Sequence, residues 1–255
     1  MPIVTLCSDS GSRDPSVAVL KGAIWQRNAT LQLVDISHNV ENYNIVQAAF
    51  ILKNAYTAFP AGTIHVVSVK NYHPDSNSFL AIRFEGHYFI GPDNGVFSLL
   101  FETLPEDIYE LNFESHIKVK LSALYADAVG HIANDLPFNE IGLPVEEIIR
   151  KISLQAVTSK DHIRGSVIYI DNYENVVVNI TKDMFEKNRA GRAFSIYFKR
   201  HNPITKMSPV YSEVSVGETL CHFNGAGYLE IAINMGKAAS LLGLHIDETI
   251  QIDFH

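Results

Sequence analysis

Residues 44–69, NIVQAAFILKNAYTAFPAGTIHVVSV, decide how this chain is read. Ile45, Ala48, Ala49 and Leu52 fall at helical spacing, so the stretch opens as an amphipathic helix with one apolar stripe. After the break at PAG, TIHVVSV is a short apolar run, which predicts a buried strand. Working outward toward the N-terminus, PIVTLCS (2–8) predicts a strand, DPSVAVLKGAIWQRN (14–28) a helix and TLQLVDIS (30–37) a strand. The order is βαβαβ, the pattern of a largely parallel sheet with covering helices. Working toward the C-terminus, FLAIRFEG and HYFIGPDNG predict a hairpin about Glu85-Gly86, and VGHIANDL and PVEEIIRKI predict the helices that close the first domain. From about Ile163 consecutive strands follow, GSVIYIDN, NVVVNIT, AFSIYFK and YLEIAI, with a short helical stretch in NMGKAASLLGL. The expected fold class is therefore α/β: an N-terminal three-layer α/β domain over residues 1–154 and a mostly β, barrel-like C-terminal domain over 163–255. The polar segment LQAVTSKDH (154–162) is the expected linker.

Composition narrows the function classes. Hydrophobic residues make up 47% and charged residues 19% of the 255, and no apolar run approaches the length of a membrane span, so an ordinary globular protein without a membrane role is expected. A formal charge of -8 without a long basic cluster argues against a nucleic-acid partner. The start, MPIVTLCSDSG, has no signal-peptide pattern, and Cys7 and Cys221 form no short-spaced pair, so a cytoplasmic, reduced protein is expected, with no structural zinc.

Ligands of parallel α/β sheets bind beyond the carboxyl ends of the strands. Three loops qualify. In SDSGSRDPS, Asp9 and Asp14 flank Gly11; Asp14 can cap the helix that follows, whereas Asp9 lies too far before it and is the better ligand candidate. In VVSVKNYHPDSNS (66–78) an apolar strand stops at Lys70, which is either part of a site or a solvated strand end. GPDNG (91–95) has the composition of a tight structural turn. His38 and His65 sit at strand ends, yet no HxxxH or HExxH pair occurs, so no catalytic metal is expected. There is no GxSxG, GxxxxGK[ST] or GxGxxG motif. In FNGAGYLEIAIN (223–234) two glycines ahead of a strand allow close backbone approach to a planar ligand or form a bulge or hairpin turn.

Six segments in this order, SDSGSRDPSVAVLKG, VDISHNV, AFPAGTIHVVSV, FIGPDNGVFSLL, IDNYENVVVNIT and NGAGYLEIAINMGKAASLLGL, resemble the S-adenosylmethionine (SAM) hydroxide adenosyltransferases, or SAM hydrolases, and the related SAM-dependent fluorinase and chlorinase. The resemblance implies attack by water or halide on the ribose C5′ of SAM with release of methionine, no cofactor or metal, and a homotrimer with SAM between the N-domain of one subunit and the C-domain of its neighbour. It also implies that Asp9 holds the ribose, that Asn175 reads the adenine edge, that Tyr211 packs on the adenine, and that Glu230 and Asn234 line the same pocket. The chain departs from the family where water is activated. Lys70, Asn77 and Lys120 occupy the positions of the hydrolases' Asp-Arg-His set, and Gly225 and Ala226 replace a serine and its neighbour near the ligand. A member that binds SAM or adenosine without turning it over is the alternative this implies.

Overall fold

The computed structural model describes residues 2–72, 78–101, 103, 105, 107–111, 121–152, 155–199 and 201–255. The chain separates into two compact units, Met1–Ser153 and Leu154–His255.

In the first unit β1 (Ile3–Ser8), α1 (Ser16–Arg27), β2 (Gln32–Ser37), α2 (Ile45–Lys53) and β3 (Ile64–Ser68) follow the βαβαβ order read from the sequence. Then come β4 (Phe79–Phe84), β5 (His87–Pro92), α3 (Val96–Leu100), β6 (Asp107–Leu111), α4 (Leu121–Ala133) and β7 (Gly142–Pro144). The sheet runs β2-β1-β3-β5-β4-β6-β7, parallel through its first four strands and antiparallel beyond. The hairpin falls at Glu85-Gly86, where φ is 48° and 79°; two left-handed residues match the right-handed twist of the paired strands.

Strand alternation divides the core. Val4, Leu6, Ile64 and Val66 face α1 and α4, through Leu20, Ile24, Leu124 and Val129. Cys7, Val67, Val69 and Phe89 face α2 and α3, through Ala48, Leu52 and Phe97. Helices therefore cover both faces, giving the expected three layers. Asn44 caps α2 by accepting the Gln47 N–H, as its place ahead of the apolar stripe requires.

One expected helix is not formed. PVEEIIRKI has helical apolar spacing, but its backbone N–H groups are spent elsewhere: Val145 donates to the Ile108 carbonyl, Ile149 to the Asp93 carboxylate and Lys151 to the Ser98 hydroxyl. The segment lies extended after β7. In VGHIANDL the helix stops at Ala133, and Asp135 takes a left-handed φ of 55°.

The second unit comprises β8 (Val157–Thr158), β9 (His162–Ile170), β10 (Val176–Thr181), α5 (Lys182–Arg189), β11 (Phe194–Tyr197), β12 (Thr219–Phe223), β13 (Tyr228–Ile233), α6 (Ala238–Leu242) and β14 (Thr249–Phe254). Its curled sheet is antiparallel throughout, in the order β11-β14-β9-β10-β13-β12, around a core that includes Phe185, Phe194, Ile231 and Ile252. The expected linker differs in one respect: Val157–Thr158 pairs with β9 and so extends this sheet. Among the described residues no helix is long and apolar enough to cross a membrane, and no group of three or more His, Cys, Asp or Glu is placed to hold a metal ion.

Candidate functional site

In the first unit the polar groups gather at the carboxyl ends of β1, β2 and β3. Because side chains alternate along a strand, Cys7 enters the α2 side of the core, and burial, with the Asp9 charge nearby, pushes its thiol up to about 12. It is an inert core residue at neutral pH. Ser8, the next residue, pairs in register with Ser68 of β3, and both line a cavity of about 320 Å³.

Asp9 follows directly and ties three loops together. Its Oδ2 accepts the backbone N–H of Tyr43 at 2.9 Å and that of Lys70 at 3.1 Å, while its carbonyl accepts the Asn42 side chain at 3.1 Å. Oδ1 takes no hydrogen bond among the described residues. Asp14 does not cap α1: Pro15 stands at the N-cap and no side chain bonds the helix start.

Lys70 has a left-handed φ of 47°, uncommon for a residue with a side chain. The turn is held by Asn94, whose buried amide donates to the carbonyls of Val69 and Lys70, both at 2.9 Å. GPDNG is thus a structural clamp on the Lys70 turn. The Lys70 ammonium makes no hydrogen bond or ion pair among the described residues, and Lys70 is not among the residues lining the cavity. Asn77 and Lys120, the other two catalytic candidates, lie outside the described residues.

The cavity wall is neutral. Ser8, Ser10, Ser16, Ser68, Asn71, Ser122 and Tyr125 supply its polar groups, between Val17, Val19, Leu20 and Leu121. Tyr125 is fully buried, with its hydroxyl 2.7 Å from Asn71 Oδ1 and 3.0 Å from the Val67 carbonyl, and burial pushes its phenol well above the ordinary value. It can act only as a neutral hydrogen-bonding group.

Behind Ser8 lies a second layer. Its Oγ is 2.8 Å from His38 Nδ1, and His38 Nε2 is 3.0 Å from Asp35 Oδ1, in ion-pair contact although off the line of a straight hydrogen bond. Lys21 Nζ holds Asp35 Oδ2 at 2.7 Å. Burial works to raise the Asp35 carboxyl, but the Lys21 hydrogen bond and the nearby His38 imidazole outweigh it and hold the carboxyl below its usual range. On the opposite sheet face His65 bonds Thr5 at 2.7 Å and His87 at 3.2 Å, and burial, aided by the His87 charge, holds its imidazole down to about 3. His65 is a neutral core residue.

The second unit carries a cluster of another kind, centred on Glu230, which is 5% exposed. Oε1 accepts the Tyr211 hydroxyl at 2.7 Å and stands 3.4 Å from His222 Nε2; Oε2 accepts the Asn224 amide at 3.2 Å. Tyr211 meets the His222 ring edge-on at 4.9 Å, and burial and the bond to Glu230 raise its phenol. Asn175 donates to Asp171 at 2.9 Å and is itself buried. Asn234, four residues beyond Glu230, donates to the Val214 carbonyl at 2.8 Å and closes the turn before β12. Tyr211 and Glu230 are therefore in contact, whereas Asn175 and Asn234 are each bonded to other partners. His222 and Asn224 were not among the expected site residues. The signal for His222 is its cross-strand register with Glu230, visible only once β12 is recognised.

Residues 4–142 match the SAM hydroxide adenosyltransferase N-terminal domain and residues 165–251 the corresponding C-terminal domain. The chain belongs to the SAM hydroxide adenosyltransferase family. It is 27% identical to an (R)-S-adenosyl-L-methionine hydrolase of Methanocaldococcus jannaschii, over 99% of this chain and 96% of that one. It is 24% identical to a fluorinase of Actinopolyspora mzabensis, over 93% of this chain and 92% of the other. An uncharacterized conserved protein of Thermotoga maritima superposes with a TM-score of 0.87 at 25% identity, covering 99% of this chain and 100% of its own.

Proposed function

We propose that this chain cleaves SAM by attack of water or an anion at ribose C5′, releasing methionine and adenosine or a 5′-substituted adenosine. The observation that carries the reading is the placement of Asp9: one oxygen is locked by two backbone N–H groups, while Oδ1, without a hydrogen bond among the described residues, is left to accept a ribose hydroxyl, and its chain neighbours Ser8 and Ser10 line a neutral cavity. A wall of hydroxyls and amides suits this chemistry. It can strip water from a nucleophile and hold it by hydrogen bonds without adding a charge that opposes the sulfonium. Methionine leaves as a neutral thioether, so the leaving group needs no proton. The reaction asks for no cofactor. In the second unit Tyr211 offers a half-exposed ring for the adenine, and Asn175, Glu230 and Asn234 shape the strand ends around it. The homotrimer is part of the same proposal and is tested by sedimentation.

A second reading, binding without turnover, is favoured by Lys70. Two unit charges of like sign at 4 Å repel by about 4 kcal/mol at an effective dielectric of 20. An ammonium placed against the sulfonium would weaken SAM binding by that order, whereas one set back from it can gather an anionic nucleophile. Incubation with each sulfonium epimer of SAM, in fluoride, chloride and halide-free buffer, with chromatography of adenosine, 5′-halogenated adenosine and methionine, separates the readings. Adenosine or a halogenated adenosine with stoichiometric methionine supports cleavage. Calorimetric binding of SAM without product under any condition supports the second reading, and no binding of SAM or adenosine removes both.

A further inference from the structure

We propose that Ser8, His38 and Asp35 form a proton-accepting relay that opens on the cavity between α1 and α4 and receives the proton of a water nucleophile. The inference rests on the SAM-cleavage reading for its substrate. It does not use the positions of Lys70, Asn77 and Lys120, because its residues come from the ends of β1 and β2.

The geometry forms the first link as a hydrogen bond and brings the second within ion-pair distance, where a small turn of the imidazole would align it. A general base must lie within about 2.6–3.2 Å of the proton it takes, and its far nitrogen must be oriented by a third group. Ser8 Oγ is 2.8 Å from His38 Nδ1, and His38 Nε2 is 3.0 Å from Asp35 Oδ1. Asp35 is a carboxylate and only accepts, so the proton of a neutral His38 belongs on Nε2. Nδ1 is then the acceptor and Ser8 the donor, which is the tautomer logic of a Ser-His-Asp arrangement. The Ser8 oxygen also accepts the Ser10 N–H, in a long contact of 3.5 Å, and its other lone pair remains for a guest in the cavity it lines.

The relay is also fixed in place. The Gly11 N–H donates to the His38 carbonyl at 2.8 Å and the Val40 N–H to the Ser8 carbonyl at 3.3 Å, so the loops after β1 and β2 are laced together on either side of the pair. Lys21 anchors Asp35 from α1. The His38 side chain is 9% exposed and that of Asp35 42%, so the chain of groups runs from a buried cavity wall to solvent.

The step balances. Water oxygen bonds to C5′ as the C5′–S bond breaks, its electron pair staying on sulfur to give neutral methionine. The oxonium proton passes to Ser8 Oγ while the Ser8 proton passes to His38 Nδ1. The resulting imidazolium is stabilised by Asp35 and returns its proton to solvent at the exposed end.

The test measures adenosine formation from SAM, with adenosine affinity measured in parallel by calorimetry. A general base contributes about 10²–10⁴-fold, so Ser8→Ala and His38→Ala should each lose at least about 100-fold in turnover with adenosine affinity kept. Added imidazole should restore part of the His38→Ala rate, which a merely structural histidine would not allow. Asp35→Asn, at a half-exposed position, should lose less and guards against loss of fold in the buried variants. Turnover of His38→Ala within threefold of the unchanged protein, or loss of adenosine binding along with turnover, overturns the relay. If the unchanged protein binds adenosine but never cleaves SAM, the cleavage reading falls separately. The relay is then read by diisopropyl fluorophosphate: labelling of Ser8 that is lost in His38→Ala retains it, and absence of labelling overturns it.

Discussion

The polar clusters of the two units are built on opposite plans. In the first unit neutral hydroxyls and amides surround a cavity, and the charged groups nearby are held back from it: Asp9 by backbone N–H groups, Asp35 by Lys21 and His38. In the second unit a carboxylate, Glu230, is itself buried and is met by Tyr211, Asn224 and His222. A neutral wall leaves bonding capacity for a guest. A buried carboxylate already bonded on both oxygens leaves less, and its removal strands its donors. The first cluster thus keeps bonding capacity open toward its cavity, and the second spends its polar groups on one another beside the half-exposed Tyr211.

The largest expected effect tests the first unit away from its cavity. His65 is held neutral by burial, with its imidazole down at about 3 against an ordinary 6.5. At pH 7 the folded chain keeps this group neutral and the unfolded chain protonates it only in small part. Below about 6.5 the unfolded chain takes up a proton that the folded one refuses, so stability falls with a slope approaching about 1.4 kcal/mol per pH unit and levels off near pH 3. Urea unfolding between pH 7 and 4 should show the first unit weakening by several kcal/mol. His65→Gln should flatten that slope, and a slope unchanged in the variant would assign the acid sensitivity elsewhere.

Next in size is Glu230→Ala. Two donors, the Tyr211 hydroxyl and the Asn224 amide, lose their acceptor and His222 loses its charged neighbour, each stranded group costing about 1–3 kcal/mol when buried; because Tyr211 is half-exposed and can turn to water, the net expectation is about 2 kcal/mol. Thermal unfolding followed by the fluorescence of tyrosines in the second unit reads it. A loss below about 1 kcal/mol would mean that the cluster is not a structural anchor and would bring the two plans closer together. Tyr125→Phe is the matching change in the first unit. It removes one buried hydroxyl shared between Asn71 and Val67, so a loss of about 1–2 kcal/mol is expected, together with weaker adenosine or SAM binding if the cavity is the ligand site.

The sequence carried the fold further than the sites, for definite reasons. The strands β1 and β3 and the helix α2 were legible because they are apolar runs or stripes whose period survives without context. PVEEIIRKI has the same apolar spacing, but its N–H groups bond to Ile108, Asp93 and Ser98, partners that only the assembled sheet supplies. The helix α5 was hidden because KDMFEKNR buries only Phe185 and shows no stripe. Among site residues, Asp9 was visible as a carboxylate at a strand end. Its two N–H donors come from 34 and 61 residues away, and no local pattern encodes them. His38 was likewise visible as a strand-end histidine, but its contact with Ser8 depends on β1 and β2 lying side by side in parallel register.

Lys70 is the smallest perturbation and the one that bears most directly on the comparison, because it is a charged residue at the start of the loop whose Asn71 lines the neutral cavity. Its left-handed φ of 47° costs a residue with a side chain about 1–2 kcal/mol, a cost that glycine avoids. Glycine in turn gives up about 0.5–1 kcal/mol through the greater freedom of the unfolded chain. Lys70→Gly should therefore be neutral to slightly stabilising, by about 0.5 kcal/mol, and Lys70→Ala should be less stable than Lys70→Gly, since alanine keeps the steric cost without the ammonium. Both variants keep the backbone N–H that donates to Asp9, so the Asp9 carboxylate keeps that tie. That isolates the charge. If the ammonium gathers an anionic nucleophile, both variants lose halide-dependent product and keep adenosine affinity. If it only opposes the sulfonium, both bind SAM more tightly while adenosine affinity stays fixed. Unchanged affinity and unchanged product in both would return Lys70 to a solvated residue on a turn clamped by Asn94.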